Sequence, residues 1–179
     1  MRLFLALLLL PCALLAQSDD FTEPNGITHL AYATDRAVVT ETTALPEFDG
    51  HTVELVEGRV LGTTDAYGSL RFTKEPTGTL FNNGYAPASG SIPTNQLAAV
   101  ATQLQLVIDE VLGRTPERST AFSYGSSEGF GVSGAYREGG WRISLSLGGY
   151  GQDNGTPLTP AQFEELVTLL RAAASQSAP

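Results

Sequence analysis

The sequence has few of the residues that most enzyme sites and charged-polymer binding sites require. It contains one cysteine, two histidines and 10 lysines and arginines, against 19 acidic residues. The formal net charge of −9 repels nucleic acid and anionic membrane surfaces, so we expect neither as a partner. Scarce histidine and cysteine also leave little material for a transition-metal site.

The N-terminus has the order of a cleavable secretory signal. Residues 1–16 combine a positive head, an apolar run over 3–10 and a small-residue exit ending at Ala16. The apolar stretch is shorter than the roughly 20 residues that cross a bilayer. We therefore expect a secreted or periplasmic protein. A lipid anchor on Cys12 is the alternative, and Pro11 disfavours it because acylation requires a small residue before the cysteine.

Cleavage after Ala16 would remove the only cysteine and leave a more acidic chain. Disulfides and thiolate chemistry would then be excluded, although an exported protein could have used them. We expect a flexible leader over residues 17–26, a single α+β domain over 27–175 and a disordered tail over 176–179. No later apolar run is long enough to span a membrane.

Short runs of β-forming residues separated by turn residues follow the leader. Several of them alternate apolar with polar side chains, the period of a half-buried strand. The predicted strands are 29–32, 37–40, 52–56, 59–61, 69–73, 77–81, 120–124, 130–136 and 141–147.

Two segments show helical periodicity. Apolar residues recur every three or four positions from Leu97 to Val111, and Gly113 stands where a helix commonly stops. Residues 159–162, Thr-Pro-Ala-Gln, predict the start of the second helix, because they form a capping box with proline at the first helical position. Its apolar stripe runs from Phe163 to Leu170.

Parts of the two halves resemble each other in sequence. Residues 62–68 match 125–131 position by position, and the helix stripes match at a similar offset. This predicts two repeated units, about 50–113 and 118–175, each a β-hairpin followed by a helix. Since neither unit can bury its own apolar face, we expect one antiparallel sheet with both helices packed on one face.

Residues 125–129, Gly-Ser-Ser-Glu-Gly, fit the G-x-S-x-G pattern of a serine nucleophile. That motif requires a helix after the turn, whereas a strand-like run follows here. No histidine lies downstream of His51 to complete a triad, so we do not expect a serine hydrolase.

His29 and His51 lie outside any metal-binding spacing, and Asp49 is the acid nearest to either in sequence. We interpret both histidines as surface or strand-edge residues and expect no metal site. No glycine-rich phosphate loop is present, and we expect no cofactor.

Paired carboxylates are the remaining catalytic option. Asp65 and Glu128 occupy matched positions, as do Glu75 and Glu138, and a pair facing one cleft could hydrolyse a glycosidic bond. The favoured interpretation places all four in solvated turns, where nearby opposite charges contribute little.

Aromatic residues beside glycine-rich segments are the better candidates for a binding surface. Tyr85 and Tyr150 lie outside the clean strand patterns, and Trp141 opens a strand. We therefore expect a non-catalytic binding or interaction module for a protein or carbohydrate ligand. The alternatives are a glycosidase-like hydrolase and a structural subunit that associates with itself through an open sheet edge.

Overall fold

The computed structural model describes residues 37–75, 87–148 and 155–177, which form eight strands and two long helices. The elements are β1 (Val38–Ala44), β2 (Thr52–Val60), β3 (Ala66–Lys74), β4 (Ala88–Pro93), α1 (Thr94–Leu106), β5 (Ala121–Gly125), β6 (Phe130–Arg137), β7 (Gly140–Leu147), β8 (Thr156–Leu158) and α2 (Pro160–Gln176). The predicted signal peptide and leader, like the predicted strands at 29–32 and 77–81, lie outside the described residues.

The strands form two four-stranded antiparallel sheets, β1-β2-β3-β4 and β5-β6-β7-β8, each followed by a helix. The α+β class is therefore confirmed, whereas the single sheet expected from sequence is replaced by two. The edge of β4 meets the turn between β5 and β6 and not a strand, so the ladder does not continue from one sheet into the other. Where the sheets meet, one isolated parallel bridge joins Ser91 to Gly129.

The predicted repeat of hairpin-plus-helix units is not confirmed. Residues 62–68 span the β2–β3 turn, whereas 125–131 span the β5–β6 turn. The sequence match therefore makes β6 the counterpart of β3 in the second half. By the order of strands within the two sheets, however, the counterpart of β3 is β7. The helix stripes do correspond, since both are buried, but the matched turns occupy different places in their sheets.

The helices form where their apolar stripes predict them. In α1 the buried residues are Leu97, Val100, Ala101 and Leu104, and in α2 they are Phe163, Leu166, Val167, Leu170 and Ala173. A π-helical segment, Val107–Leu112, extends α1 to its end at Gly113. None of the described helices is long and apolar enough to cross a bilayer.

The predicted capping box at the start of α2 is confirmed. The Gln162 amide donates to the Thr159 hydroxyl at 3.2 Å, and the Thr159 amide donates to Gln162 Oε1 at 2.8 Å. The helix runs through Gln176, the first residue of the predicted tail.

Both sheets and both helices contribute to one hydrophobic core. Side chains alternate along each strand, so β7 buries Ile143, Leu145 and Leu147 and turns the residues between them to the opposite face. The Phe72 and Phe130 rings, one from each sheet, lie 5.0 Å apart at their centroids. The two halves are therefore joined by apolar packing as well as by the single bridge.

The junction between the sheets depends on a very close backbone approach at Gly90. The Ser91 amide donates to the Glu128 carbonyl at 3.1 Å, and the Ser126 hydroxyl donates to the Ser91 carbonyl at 2.6 Å. A Cβ atom at Gly90 would lie 2.5 Å from the Gly129 carbonyl oxygen, which is inside the van der Waals distance. Glycine is therefore required at this position for the sheets to meet.

Replacing Gly90 by alanine should lower the free energy of unfolding by about 1–3 kcal/mol, because the new methyl group would push the β4 backbone away from Gly129. Gly140→Ala is the matched control, since a Cβ there meets nothing within 4 Å. It should change stability by less than about 0.5 kcal/mol. Urea unfolding followed by circular dichroism measures both, and equal losses in the two variants would contradict the steric argument.

Candidate functional site

A cleft of about 550 Å³ opens on the first sheet. This volume falls within the range of roughly 300–1,000 Å³ typical of ligand pockets. Its lining comes from β1, β2, β3, the start of α1 and the end of α2. The lining residues are Val39, Glu41, Glu57, Gly58, Arg59, Ala66, Tyr67, Gly68, Thr94 and Ser177.

The cleft is the part of the helix-covered face that the helices leave open. Alternation along β3 places Gly68 on the same face as Leu70 and Phe72, which are buried in the core. The helix α1 begins at Thr94, whose side chain lies directly against Gly68, where a Cβ would come within 2.8 Å of it. Ser177 borders the cleft from the end of α2.

Three charged side chains lie on the floor of the cleft. Glu41 of β1 is directly opposite Glu57 of β2, and Arg59 is opposite Val39. All three charged residues are exposed, and none forms an ion pair with another residue in the described part of the chain. Like charges placed directly across a strand pair destabilise the sheet. A positively charged group beside Glu41 and Glu57 would relieve this repulsion.

The outer edge of β1 borders the cleft. The Leu45 amide donates to Val53 at 2.9 Å, and the Leu61 amide donates to Ala37 at 2.9 Å. These two bonds fix which residues of β1 bond to β2. Every second residue from Ala37 to Leu45 does so. The residues that direct their amides and carbonyls away from β2 are Val38, Thr40, Thr42 and Ala44. No strand among the described residues pairs with this edge.

The Tyr67 side chain connects β3 to the second sheet. Its hydroxyl donates to Glu128 Oε1 at 2.5 Å, and Glu128 lies in the β5–β6 turn. Burial, together with the hydrogen bond and the negative charge of Glu128, raises the pKa of the Tyr67 phenol well above its usual range. The phenol therefore stays neutral and acts as a hydrogen-bond donor.

His51 is fully buried, which makes the prediction of a surface or strand-edge histidine wrong. Its Nδ1 lies 2.9 Å from the Phe48 carbonyl oxygen and 3.0 Å from that of Asp49, so Nδ1 carries the proton. Nε2 then accepts from the Thr156 hydroxyl at 3.4 Å, and the Lys74 ammonium donates to the same oxygen at 2.7 Å. The burial follows from the tight Asp49-Gly50 turn, which directs the ring toward β8.

This arrangement places a hydroxyl between an imidazole and an ammonium, as in activated nucleophiles. Thr156 is only 8 % exposed, and its bond to His51 is long. The cleft lining does not include any of the three residues. The contacts therefore serve to hold the β1–β2 turn against β8. The side chain of Gln162 reinforces this contact by donating to Asp49 at 2.8 Å.

The aromatic residues predicted to bind ligand do not lie in this cleft as far as the structure describes them. Trp141 is half-buried on β7, with ring centroids 6.0 Å from Phe122 and 5.5 Å from Tyr136. Its indole Nε1 is buried and has no hydrogen-bond partner among the described residues. Tyr85 and Tyr150 lie outside the described residues, as does His29.

The carboxylates of the alternative catalytic site have different surroundings. Asp65 is exposed in the β2–β3 turn, and Glu128 is engaged by Tyr67. Glu138 is exposed and pairs with Arg142 within the β6–β7 hairpin. Neither Asp65 nor Glu128 lines the cleft. Within the described residues, no three histidine, cysteine or acidic side chains group closely enough to hold a metal ion.

The G-x-S-x-G segment is a hairpin turn, as its sequence context predicts. Residues 125–129 connect β5 to β6, and a strand follows the motif in place of a helix. The Ser126 hydroxyl accepts from the Phe130 amide at 3.1 Å and donates to Ser91. Its hydrogen bonds stabilise the junction between the sheets.

The charged residues of the cleft were missed by the sequence analysis. Glu41, Glu57 and Arg59 alternate with small or β-branched residues along two strands, which marks one face of each strand. The register that brings Glu41 opposite Glu57 is not contained in that pattern. No family model matches the chain, and no curated protein matches its sequence significantly.

Removal of the Tyr67 hydroxyl should destabilise the protein in a pH-dependent way. Tyr67→Phe should lower the free energy of unfolding by about 1–2 kcal/mol near neutral pH, because Glu128 loses its donor. Above the usual phenol pKa of about 10, the unfolded wild-type chain releases the proton and the folded chain keeps it. The contribution of Tyr67 is therefore lost as pH rises.

Urea unfolding of wild type and Tyr67→Phe at about pH 8 and about pH 10.5 checks this prediction. The difference in stability between the two proteins should shrink at the higher pH. The raised pKa of Tyr124 has the same sign, but it is present in both proteins and cancels in the comparison. A difference that stays constant with pH would contradict the assigned bond.

Thr156→Val should lower the free energy of unfolding by about 1–3 kcal/mol, because His51 Nε2 and Lys74 Nζ would both lose their described partner. Thr156→Ser keeps the hydroxyl and is the matched control. In thermal or urea unfolding, the serine variant should keep most of the stability that the valine variant loses. Valine keeps the methyl group of Thr156, so a valine variant as stable as the wild type would contradict the role assigned to the hydroxyl.

Proposed function

We propose that this protein is a non-catalytic binding module that takes up an extended peptide segment as an additional strand along β1. The observation that supports this most directly is the open edge of β1 immediately beside the cleft. Four residues of that edge direct amides and carbonyls away from β2, and no strand in the described part of the chain pairs with them, which is the pattern that strand addition uses. The adjoining cleft can receive alternate side chains of the added strand, which gives selectivity.

The charge arrangement favours a foreign segment over a second copy of the same edge. Glu41 is the central residue of β1 (Val38–Ala44). Centred antiparallel pairing of two β1 strands would place Glu41 of one copy opposite Glu41 of the other, and like charges in that position are repulsive. The net charge of −9 adds to the repulsion between copies. A charged residue on an exposed edge is a common protection against self-association.

The glycosidase-like alternative has less support. Retaining and inverting glycosidases both require two carboxyl groups flanking one bond in a cleft. Glu41 and Glu57 do lie in the cleft, but both are exposed on an open sheet surface, where the described residues enclose neither carboxyl group. We propose that the module acts outside the cytoplasm, in the envelope or beyond it, as the N-terminal sequence predicts.

Proline on the β1 edge provides a direct test. The Thr42 amide points away from β2, so Thr42→Pro removes a donor needed by an added strand without breaking the β1–β2 ladder. Thr42→Val keeps the amide and the β-branched shape and is the control. Both variants should fold, as judged by circular dichroism and urea unfolding.

The probe is a phage-displayed library of random linear peptides, panned on the wild-type protein, with the recovered peptides synthesised and measured by calorimetry. We expect binders whose affinity falls at least about tenfold in Thr42→Pro and is nearly unchanged in Thr42→Val. The proposal fails if the wild type selects no peptide. It also fails if the selected peptides bind the proline variant as tightly as the wild type.

A further inference from the structure

We infer that the cleft selects a single basic side chain, arginine in preference to lysine, at the ligand residue that faces Glu41. This inference rests on the proposed function, because it assigns chemistry to the ligand that strand addition would bring to β1. The opposed pair of carboxylates, the shape of the cleft floor and the position of Arg59 favour this selection.

Both carboxylates lie within reach of a side chain on a strand added at the β1 edge. Strands in a sheet lie about 4.8 Å apart, so a ligand residue opposite Glu41 would be one strand spacing from Glu41 and two from Glu57. A side chain that lies across β1 would bring its end group between the two carboxylates. Only a long side chain covers that distance, and only a cation relieves the repulsion of the pair.

Small residues form the floor of the cleft beyond the carboxylates. Ala66 and Gly68, which face the same side as Glu57 and Arg59, carry little or no side chain, so the surface beyond the carboxylates is low. Thr94 closes the far end, where it lies against Gly68. A planar guanidinium fits a low space between two carboxylates, and its five donors can serve both of them at once. An ammonium presents a more strongly hydrated point charge and matches this geometry less well.

Arg59 favours a ligand with one basic residue over a ligand with several. Arg59 lies opposite Val39, two residues along the strand from the Glu41–Glu57 pair and on the same face. It forms no ion pair with any described residue. A second basic side chain facing Val39 would be repelled by Arg59. The floor therefore discriminates by position as well as by sign of charge.

The experiment uses a host peptide, Thr-Val-Thr-Arg-Thr-Val-Thr, and its counterpart with citrulline in place of arginine. Citrulline has nearly the same shape as arginine and no charge, so the pair isolates the charge. A third peptide with lysine at that position should bind more weakly than the arginine peptide, and equal binding of these two would overturn the preference for arginine. Calorimetry with the full-length protein should show the arginine peptide binding about fivefold more tightly than the citrulline peptide at low salt. The advantage should shrink at about 0.5 M NaCl, where charges on an open surface are screened.

Glu41→Gln and Glu57→Gln should each reduce the arginine advantage by about half or more, whereas Glu110→Gln should leave it unchanged. Glu110 is exposed on the extension of α1, outside the cleft, and its substitution makes the same change in net charge. The control therefore separates contact with the cleft from attraction to the acidic protein as a whole.

The outcomes separate this inference from the proposal beneath it. If the arginine and citrulline peptides bind equally and lose binding together in Thr42→Pro, strand addition stands and selection of a basic side chain is overturned. If neither peptide nor any library peptide binds the wild type, the proposed function itself fails. If Glu110→Gln reduces the advantage as much as Glu57→Gln, the selection comes from net charge and the assignment to the cleft is overturned.

Discussion

The close backbone contact between Gly90 and Gly129 is the constraint on which the joining of the two sheets depends. It permits the Ser91 amide to reach Glu128 and the Ser126 hydroxyl to reach Ser91, so the edge of β4 is met by the β5–β6 turn. That contact holds the halves close enough for Phe72 and Phe130 to pack. A side chain in the gap would separate apolar surfaces that neither half can cover alone, because both helices contribute to the same core.

The cleft follows from unequal element lengths in the first sheet. β2 and β3 are nine residues long, whereas β4 has six and pairs with β3 only as far as Ser69. The helix α1 starts immediately after β4, so the segment of β3 before Ser69 lies beyond its start. The uncovered end of the sheet carries polar and small residues in place of the apolar ones that a helix would bury. Glu57 and Arg59 are therefore on the core-facing side of β2 and yet exposed.

Local signals predicted the helices and several strands, and non-local contacts account for most of what was missed. The capping box at Thr159 is read from four adjacent residues, and the structure forms it. β4 is composed mainly of Ala, Ser, Gly and Pro and was not predicted, since its pairing with β3 and the junction at Gly90 determine its conformation. His51 was placed at the surface because its partner Thr156 is 105 positions away. The cleft was missed for the same reason, since only the strand register brings its charges together.

The polar contacts between the halves have a consequence for the order of folding. They join residues 61, 82, 105 and 113 positions apart, namely Tyr67 with Glu128, Lys74 with Thr156, His51 with Thr156, and Asp49 with Gln162. Each of these contacts closes a long loop, and the entropy of that loop is lost before the contact can contribute, so we expect these contacts to form late in folding. The first sheet cannot complete its packing until α2 has been synthesised.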